Sequence, residues 1–239
     1  MAAGRVVFIA ALEREVSGFV RGWTRVSAER GVSCWVSERA VVVCGGMGAG
    51  RAAMAVDAAL RLGETRRLGE ACKLISVGWA GACRAGMRVG EIVEADVVID
   101  ARTGERFFPQ MRGEFGLRGP VVTVAAAAGR REKARLAASY NAAAVEMEAA
   151  AVARAARVRE LPFGSIKAIS DEVEFEMPEM GEFVGADGRV REAAFGLHVA
   201  LRPRLWRPVM GMARGSRLAA ERLWAAMSAC VEDERVSER

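Results

Sequence analysis

The sequence has few of the residues that mark metal-binding, secreted or membrane proteins. There is one histidine, and the five cysteines are scattered with no C-x-x-C pair, so neither a zinc site nor a disulfide framework is indicated. No apolar run reaches the length of a transmembrane helix. Near the amino end, the short apolar run Val6–Leu12 is followed at once by acidic residues, which does not fit a signal peptide. We therefore expect a cytoplasmic protein with no metal ion.

The rest of the composition indicates one large globular domain. The chain has 239 residues, of which 52% are apolar, and this is enough for an α/β domain with a sizeable core. Apolar runs typical of buried strands alternate with helical patterns, and no repeat or linker occurs before Asp171. This alternation predicts a three-layer α/β/α fold with a central mixed sheet. We expect residues 1–239 to form a single domain.

The excess of basic residues is confined to one stretch near the carboxyl end. The net charge of +5 comes from residues 201–222, which contain Arg202, Arg204, Arg207, Arg214, Arg217 and Arg222. The remainder is balanced, so nucleic-acid binding is not predicted. A basic helical element at about 201–230 could rest on the anionic inner face of a membrane through these arginines. The alternative is a helix that packs on the core and leaves its arginines in solvent.

Two features near the start of the chain have both a functional and a structural interpretation. The turn Gly45–Gly50 follows a strand and could cradle phosphate or ribose with backbone N–H groups. It lacks the dinucleotide-binding spacing and the lysine of a P-loop, so a tight strand-to-helix turn is the alternative. Glu13 follows the first strand and could hold a nucleophilic water, or it could be an ordinary acid in the first turn of a helix.

The segment from Val145 to Asp171 is the most informative part of the sequence. It begins with Glu146-Met147-Glu148 at a strand-to-helix turn and ends with Ser170-Asp171 after an apolar strand. Residues just past the carboxyl ends of strands line the ligand crevice of open α/β sheets. Two carboxylates placed there suit a polyhydroxylated ligand with a basic nitrogen. Taken singly, each acid could instead be a helix-start charge or an N-cap.

Together these motifs resemble the purine nucleoside phosphorylase and nucleosidase superfamily, and most nearly its methylthioadenosine/adenosylhomocysteine nucleosidase branch. The resemblance covers about Val6 to Asp171 in the family's order. The matching motifs are Ala10–Val16, Gly46–Gly48, Gly78–Gly81, Val145–Ala149 and Ala168–Asp171. The tail, with Val184–Arg189 and Leu201–Pro203, resembles the hopanoid-associated phosphorylases, which are associated with removing adenine from adenosylhopane.

The resemblance implies cleavage of an N-glycosidic bond and assigns the two catalytic roles. Asp171 protonates N7 of the leaving purine, which requires that burial raise its pKa toward neutrality. Glu13 activates the water.

The same resemblance assigns the substrate-binding residues. Glu148 accepts hydrogen bonds from the ribose hydroxyls, next to Glu146 of the same motif, and Met147 packs on the sugar. Ser170 orients the catalytic acid. The remaining substrate-binding residues implied by the motifs are Gly46, Trp79, Ala126 and Ala127. The last two edge the purine in a region where the family's aromatic residue is missing.

Two alternatives to a hydrolase stay open at this stage. One is a phosphorylase with phosphate as co-substrate, its phosphate held by Arg14, Arg51 or Arg84. The presence of Ser76 where the family's phosphate-binding arginine is expected, and of the bulky Trp79 in the following turn, favours water. The other alternative is a nucleoside-binding protein without turnover.

Beyond the nucleoside, we expect no cofactor. The lipid-linked adenosylhopane, methylthioadenosine and adenosylhomocysteine are the candidate substrates. The resemblance also implies a homodimer in which the loop Phe107–Pro109 reaches the neighbouring subunit.

Overall fold

The computed structural model describes residues 5–27, 31–66, 71–111, 114–176, 183, 185 and 202–237. Of the tail motifs, Leu201 and all of 184–189 except Gly185 lie outside these residues. The described part contains ten strands and five helices. The strands are β1 (Arg5–Ala10), β2 (Thr24–Val26), β3 (Ser33–Val36), β4 (Ala40–Cys44), β5 (Ala71–Ala82), β6 (Ile92–Asp100), β7 (Arg106–Phe107), β8 (Leu117–Thr123), β9 (Ala144–Glu146) and β10 (Phe163–Asp171). The helices are α1 (Glu13–Val16), α2 (Ala49–Arg66), α3 (Arg130–Tyr140), α4 (Ala149–Val158) and α5 (Pro203–Ser237).

The strands form one mixed sheet, as the alternating pattern predicted. From one edge the order is β2, β3, β4, β1 and β5, and the long strand β5 then pairs with both β10 and β9. Strands β10, β6, β8 and β9 connect these two pairings, so that part of the sheet closes on itself. β1 is parallel to β4 and β5, and β5 is parallel to β10. The carboxyl ends of these four strands therefore share one edge of the sheet.

Helices cover both faces of the sheet, which gives the predicted three layers. The central strands β1 and β4 are continuous apolar runs because both of their faces are buried. On one face, α2 and α4 pack through small residues such as Ala55 and Ala153, and on the other α5 packs through Leu223 and Met227.

Helix α5 leaves its basic residues in solvent. The side chains of Arg214, Arg217 and Arg222 are exposed, while Leu223 on the opposite face is fully buried. This is the arrangement in which the basic element packs on the core and keeps its arginines hydrated. None of the helices in the described ranges is long and apolar enough to cross a membrane.

Candidate active site

The end of β5, at Gly78-Trp79-Ala80-Gly81, makes room for two carboxyl groups. A Cβ on Gly78, whose φ is +142°, would lie 3.0 Å from Glu15 Oε1, and a Cβ on Gly81 would lie 2.9 Å from Asp171 Oδ2. A side chain at either position would therefore displace the neighbouring carboxyl group. Because a strand rises about 3.3 Å per residue, the two glycines are about 10 Å apart.

Glu15 is the acid that the first strand and the start of α1 direct into this edge. It is buried, and its carboxylate accepts hydrogen bonds from the backbone N–H groups of Ala11 (3.0 Å), Leu12 (2.8 Å) and Trp79 (3.1 Å). Burial raises the pKa of Glu15, although the N–H groups of Leu12 and Trp79 and the positive charge of Lys167 act in the opposite direction. A raised pKa makes a carboxylate a better proton acceptor than an exposed glutamate.

Glu13, the residue that the sequence predicted for this role, points elsewhere. Its side chain is 47% exposed and pairs with Arg25 on β2 at 3.2 Å. It also accepts a hydrogen bond from the Ser33 hydroxyl on β3. These contacts direct Glu13 toward the β2–β3 hairpin, while Glu15 lies against the end of β5.

Glu146 and Lys167 form a buried ion pair below the site. Lys167 Nζ lies 2.9 Å from Glu146 Oε2 and donates to the Ser76 hydroxyl at 3.0 Å. The other oxygen of Glu146 accepts a hydrogen bond from the Thr123 hydroxyl at 2.5 Å. Burial alone would lower the pKa of Lys167, but the surrounding glutamates Glu146, Glu148 and Glu15 outweigh it and raise that pKa.

Glu148 lies between this ion pair and the glycine-rich turn after β4. Its Oε1 accepts a hydrogen bond of 2.7 Å from the Gly48 backbone N–H, and its Oε2 one of 3.3 Å from Met147 N–H. Burial, with Glu146 beside it and Glu15 farther off, raises the pKa of Glu148 to about 7. The carboxyl group is therefore present in both protonation states at neutral pH, and it can donate as well as accept hydrogen bonds.

Asp171, at the end of β10, is buried and fully partnered. Ser170 donates a hydrogen bond of 2.7 Å to its Oδ1, and the ammonium group of Lys133 on α3 forms an ion pair with its Oδ2. Lys133 is itself fully buried. The sequence analysis expected a buried acid oriented by Ser170, and it did not foresee that this carboxyl group also faces a buried positive charge.

The other predicted substrate-binding residues lie at the rim of this edge. Gly46 is buried, and its N–H donates to the Ala11 carbonyl at 2.9 Å, while Met147 is half-buried. The Trp79 ring packs against the apolar layer under α5, with the Arg14 guanidinium 5.2 Å from its centroid. Its indole N–H is buried without a hydrogen-bond partner.

The remaining predicted residues are more exposed or are engaged in other contacts. Ala126 and Ala127 are exposed in the turn between β8 and α3. Arg51 donates to the backbone carbonyls of Gly45 and Gly31 at 2.5 and 2.6 Å. Arg84 donates to the Asn141 carbonyl at 2.9 Å, below α3.

Three residues that the sequence analysis did not single out hold the site together. They are Glu15, Lys133 and Lys167. Glu15 stands three residues after Leu12, the spacing at which an acid folds back on the N–H groups of a helix start. The lysines carry a compositional signal, because only three of the 35 basic residues are lysines, and all three, Lys73 included, are buried.

The carboxyl groups at this edge can transfer protons at two points along the end of β5, Gly78 and Gly81. A buried carboxylate lies over Gly78, a carboxyl group paired with an ammonium lies over Gly81, and a third acid with a pKa of about 7 interacts with the first. Within the residues that the structure describes, no group of three or more His, Cys, Asp or Glu side chains could hold a metal ion. Carboxyl and ammonium groups of this kind can perform acid–base chemistry.

Comparison with known proteins places the chain in one family. A sequence model of the Phosphorylase superfamily matches residues 5–125 and 116–201. No curated protein matches the sequence.

Among solved structures, the 5′-methylthioadenosine/S-adenosylhomocysteine nucleosidase of Neisseria meningitidis is 19% identical with a TM-score of 0.70, covering 97% of this chain and 100% of that one. The 5′-methylthioadenosine nucleosidase of Arabidopsis thaliana is 14% identical with a TM-score of 0.74, covering 98% and 97%. The S-adenosylhomocysteine nucleosidase of Streptococcus pyogenes is 19% identical with a TM-score of 0.69, covering 98% of each. At these identities the likeness shows a shared fold.

Proposed function

The chain belongs to the phosphorylase superfamily, and we propose that it hydrolyses the N-glycosidic bond of a 5′-substituted adenosine and releases adenine. One observation carries this proposal. The buried carboxyl groups of Glu15 and Asp171 lie over the two glycines of one strand end, and the buried Glu148 accepts a hydrogen bond from the glycine-rich turn after β4. The names of the solved structures, all nucleosidases of methylthioadenosine or adenosylhomocysteine, favour the same class of substrate.

Proton transfer to Glu15 at one end of the site and from Asp171 at the other accounts for hydrolysis of the N-glycosidic bond. Glu15, in place of the more exposed Glu13, accepts a proton from water as the water oxygen bonds to C1′ of the ribose. The bond between C1′ and N9 breaks, and its electron pair passes into the purine. N7 of the purine takes up the proton of the protonated Asp171 carboxyl group. The carboxylate that remains is held by Ser170 and paired with the ammonium group of Lys133, and it takes up a proton from water before the next turnover.

Glu148 is the residue that binds the sugar in this proposal. It contacts the 2′- and 3′-hydroxyls, and its ionised form faces the positive charge that develops on the ribosyl group. Met147 packs beside the sugar, and Gly46 and Gly48 bring the backbone of the glycine turn close to it. Glu146 acts indirectly, because its oxygens are bound to Lys167 and Thr123.

Water is favoured over phosphate as the nucleophile by the charge of the site. Glu15, Glu146 and Glu148 share one buried cation, Lys167, so their ionised forms together carry a net negative charge that repels a phosphate dianion. Two of the three arginines considered as phosphate ligands, Arg51 and Arg84, donate to backbone carbonyls instead. The phosphorylase remains the alternative activity that the experiment below distinguishes.

The test is adenine release from methylthioadenosine, adenosylhomocysteine, adenosine and an adenosylhopane-type lipid nucleoside, each with and without phosphate. We expect free 5-substituted ribose as the sugar product and a rate independent of phosphate. Formation of a ribose 1-phosphate would show the phosphorylase. Tight binding of the nucleosides with no release of adenine would show a binding protein without turnover.

Matched glutamine variants test the choice of base. Glu15→Gln should lower kcat by a factor of about 10² to 10⁴, the usual contribution of a general acid or base. Glu13→Gln changes a neighbouring, exposed carboxylate and should leave kcat close to that of the unmodified protein. If Glu13→Gln were the slow variant, the water would have to be placed on the β2–β3 side.

The exposed face of α5 suggests where a lipid-linked substrate would approach. Met210 and Leu218 are 52% and 40% exposed beside the exposed Arg214, Arg217 and Arg222. We expect co-sedimentation with anionic vesicles that weakens with salt, because the attraction of each arginine is screened. Absence of binding to phosphatidylserine vesicles at low salt would leave a water-soluble nucleoside as the substrate.

A homodimer is the proposed assembly. Of the loop predicted to reach a neighbouring subunit, Phe108 is 70% exposed, whereas Phe107 is buried against Arg154 and Arg157. Phe108 is therefore the aromatic side chain of this loop that is accessible to a second subunit. Light scattering should give twice the chain mass, and Phe108→Ser should shift the protein toward the monomer.

A further inference from the structure

Lys133 is a fully buried cation next to the site, and all of its donors are used within the protein. Its side chain is fully buried on α3. The ammonium group pairs with Asp171 Oδ2 and also donates to the backbone carbonyls of Glu172 at 2.9 Å and Phe175 at 3.4 Å. An ammonium has three N–H donors, so none remains for a ligand. Whatever Lys133 does for the reaction must pass through these three partners.

The same helix holds the segment that follows Asp171 at two further points. Arg130, in the first turn of α3, pairs with Glu174 at 2.9 Å. A Cβ on Gly129 would lie 2.6 Å from Glu176 Oε1, so the glycine permits close approach there. Helix α3 follows the turn that contains Ala126 and Ala127, which were predicted to edge the purine. Lys133 therefore connects this turn with the segment that follows Asp171.

A lysine suits this position better than an arginine. Its three donors diverge from one atom, whereas the guanidinium of arginine places its donors in one plane. The partners here are three separate oxygen atoms, one carboxylate and two carbonyls. Gly81 also contributes, because a Cβ there would lie 2.9 Å from both Asp171 Oδ2 and Lys133 Cε. The strand end is therefore shaped to admit the pair.

We propose that Lys133 is a positioning residue that holds Asp171 and the following loop at the purine side of the site, so that the acid delivers its proton to the leaving base. This inference rests on the proposed function. Ser170 holds Oδ1 and Lys133 holds Oδ2, which fixes both oxygens of the carboxyl group. Without Lys133 the carboxyl group would remain but would lose its orientation, and orientation errors of about 1 Å cost about a hundredfold in rate.

The first experiment compares Lys133→Met with Lys73→Met as a matched control. Lys73 is also buried, but it lies at the amino end of β5 opposite Val6, away from the site. For adenine release we expect Lys133→Met to lower kcat about tenfold to a hundredfold with little change in KM, because Lys133 has no donor for the substrate. Lys73→Met should keep kcat per folded molecule. Lys133→Gln, which retains one donor group, replaces Lys133→Met if the latter does not fold.

A double-mutant cycle then asks whether Lys133 acts through Asp171. In the Asp171→Asn background, Lys133→Met should cause little further loss of kcat, since the group that it positions has already been removed. The double variant also contains no unpaired buried charge, which favours its folding. A further tenfold loss in that background, or an equal loss in Lys73→Met, would show a purely structural role and overturn the inference.

The cycle separates this inference from the proposed function. If Asp171→Asn itself kept the unmodified kcat, the acid assignment in the proposed function would fail. If Asp171→Asn were slow while Lys133→Met and Lys133→Gln kept the unmodified kcat, only the role of Lys133 would fail.

Discussion

Glu148 should make the protein less stable as the pH rises. Burial and the adjacent Glu146 raise the pKa of its carboxyl group from 4.5 to about 7. In the unfolded chain the pKa returns to its ordinary value, so between these two values the folded protein retains a proton that the unfolded chain has released. The stability contributed by protonated Glu148 is therefore fully present below the unfolded pKa and is lost as the pH rises through the folded one.

The size of the effect follows from the two pKa values. The difference between 4.5 and about 7 corresponds to about 3 kcal/mol, because one pKa unit equals about 1.4 kcal/mol. This is a large part of the free energy of unfolding of a typical domain, about 5–15 kcal/mol. Glu148→Gln keeps the shape of the side chain and its acceptor for the Gly48 N–H but cannot ionise, so it should remove this dependence.

The assay is urea unfolding of the unmodified protein and Glu148→Gln at about pH 5 and about pH 8. From about pH 5 to about pH 8, the free energy of unfolding of the variant should rise relative to that of the unmodified protein by up to about 3 kcal/mol. Glu105→Gln is the control of opposite sign. Hydrogen bonds from Arg154 and Arg157 lower the pKa of Glu105, so its contribution is present above the unfolded pKa and is lost as the pH falls. A difference between Glu148→Gln and the unmodified protein that is equal at both pH values would refute the reasoning.

Three further changes test contacts around the site. Gly81→Ala should lower kcat with a smaller effect on KM, because the added Cβ would lie 2.9 Å from both Asp171 Oδ2 and Lys133 Cε; steady-state kinetics of adenine release measure this. Asp171→Asn should slow adenine release by a factor of about 10² or more yet slow release of 4-nitrophenolate from a nitrophenyl riboside much less, because that leaving group needs no proton. Trp224→Phe removes the hydrogen bond of 2.8 Å from the indole N–H to the Glu15 carbonyl and should lower the free energy of unfolding by about 1 kcal/mol, measured by urea unfolding.

Each of these tests has a result that would contradict it. Gly50→Ala adds a Cβ where no neighbour lies within 4 Å, so it should leave kcat unchanged; equal losses in Gly50→Ala and Gly81→Ala would remove the steric argument. Equal slowing of adenine and nitrophenolate release in Asp171→Asn would show that the residue does not act on the leaving group. No change in stability for Trp224→Phe would mean that water replaces the indole as donor.

The central sheet could be predicted because its strands are continuous apolar runs. β1, β4 and β10 are buried on both faces, and this leaves a pattern that sequence alone displays. The closure of the sheet between β5 and β9 could not be predicted in the same way. It depends on two residue pairs, Gly81 with Val145 and Ala82 with Ala144, which form only after the long strand β5 has been placed.

The candidate site could be predicted from the sequence where its residues lie at or just after the ends of strands. Glu148 stands two residues after β9, and Asp171 is the last residue of β10, so their position at the sheet edge follows from the order of elements. Glu15 and Glu13 cannot be separated on that basis, because both lie in the first turn after β1. The choice between them depends on the backbone N–H of Trp79, 64 residues away in the sequence. Lys133 is 38 residues from Asp171, and only tertiary packing brings them together.

The burial of every lysine has a practical consequence for chemical probing of this protein. Lysine-directed acylating reagents and cross-linkers need a solvent-accessible amine, and Lys73, Lys133 and Lys167 are 8%, 0% and 0% exposed. In the native state, these reagents should leave all three side chains unmodified. Because Lys133 and Lys167 hold different carboxylates, the order in which their amines become reactive as denaturant is added would report which half of the site opens first.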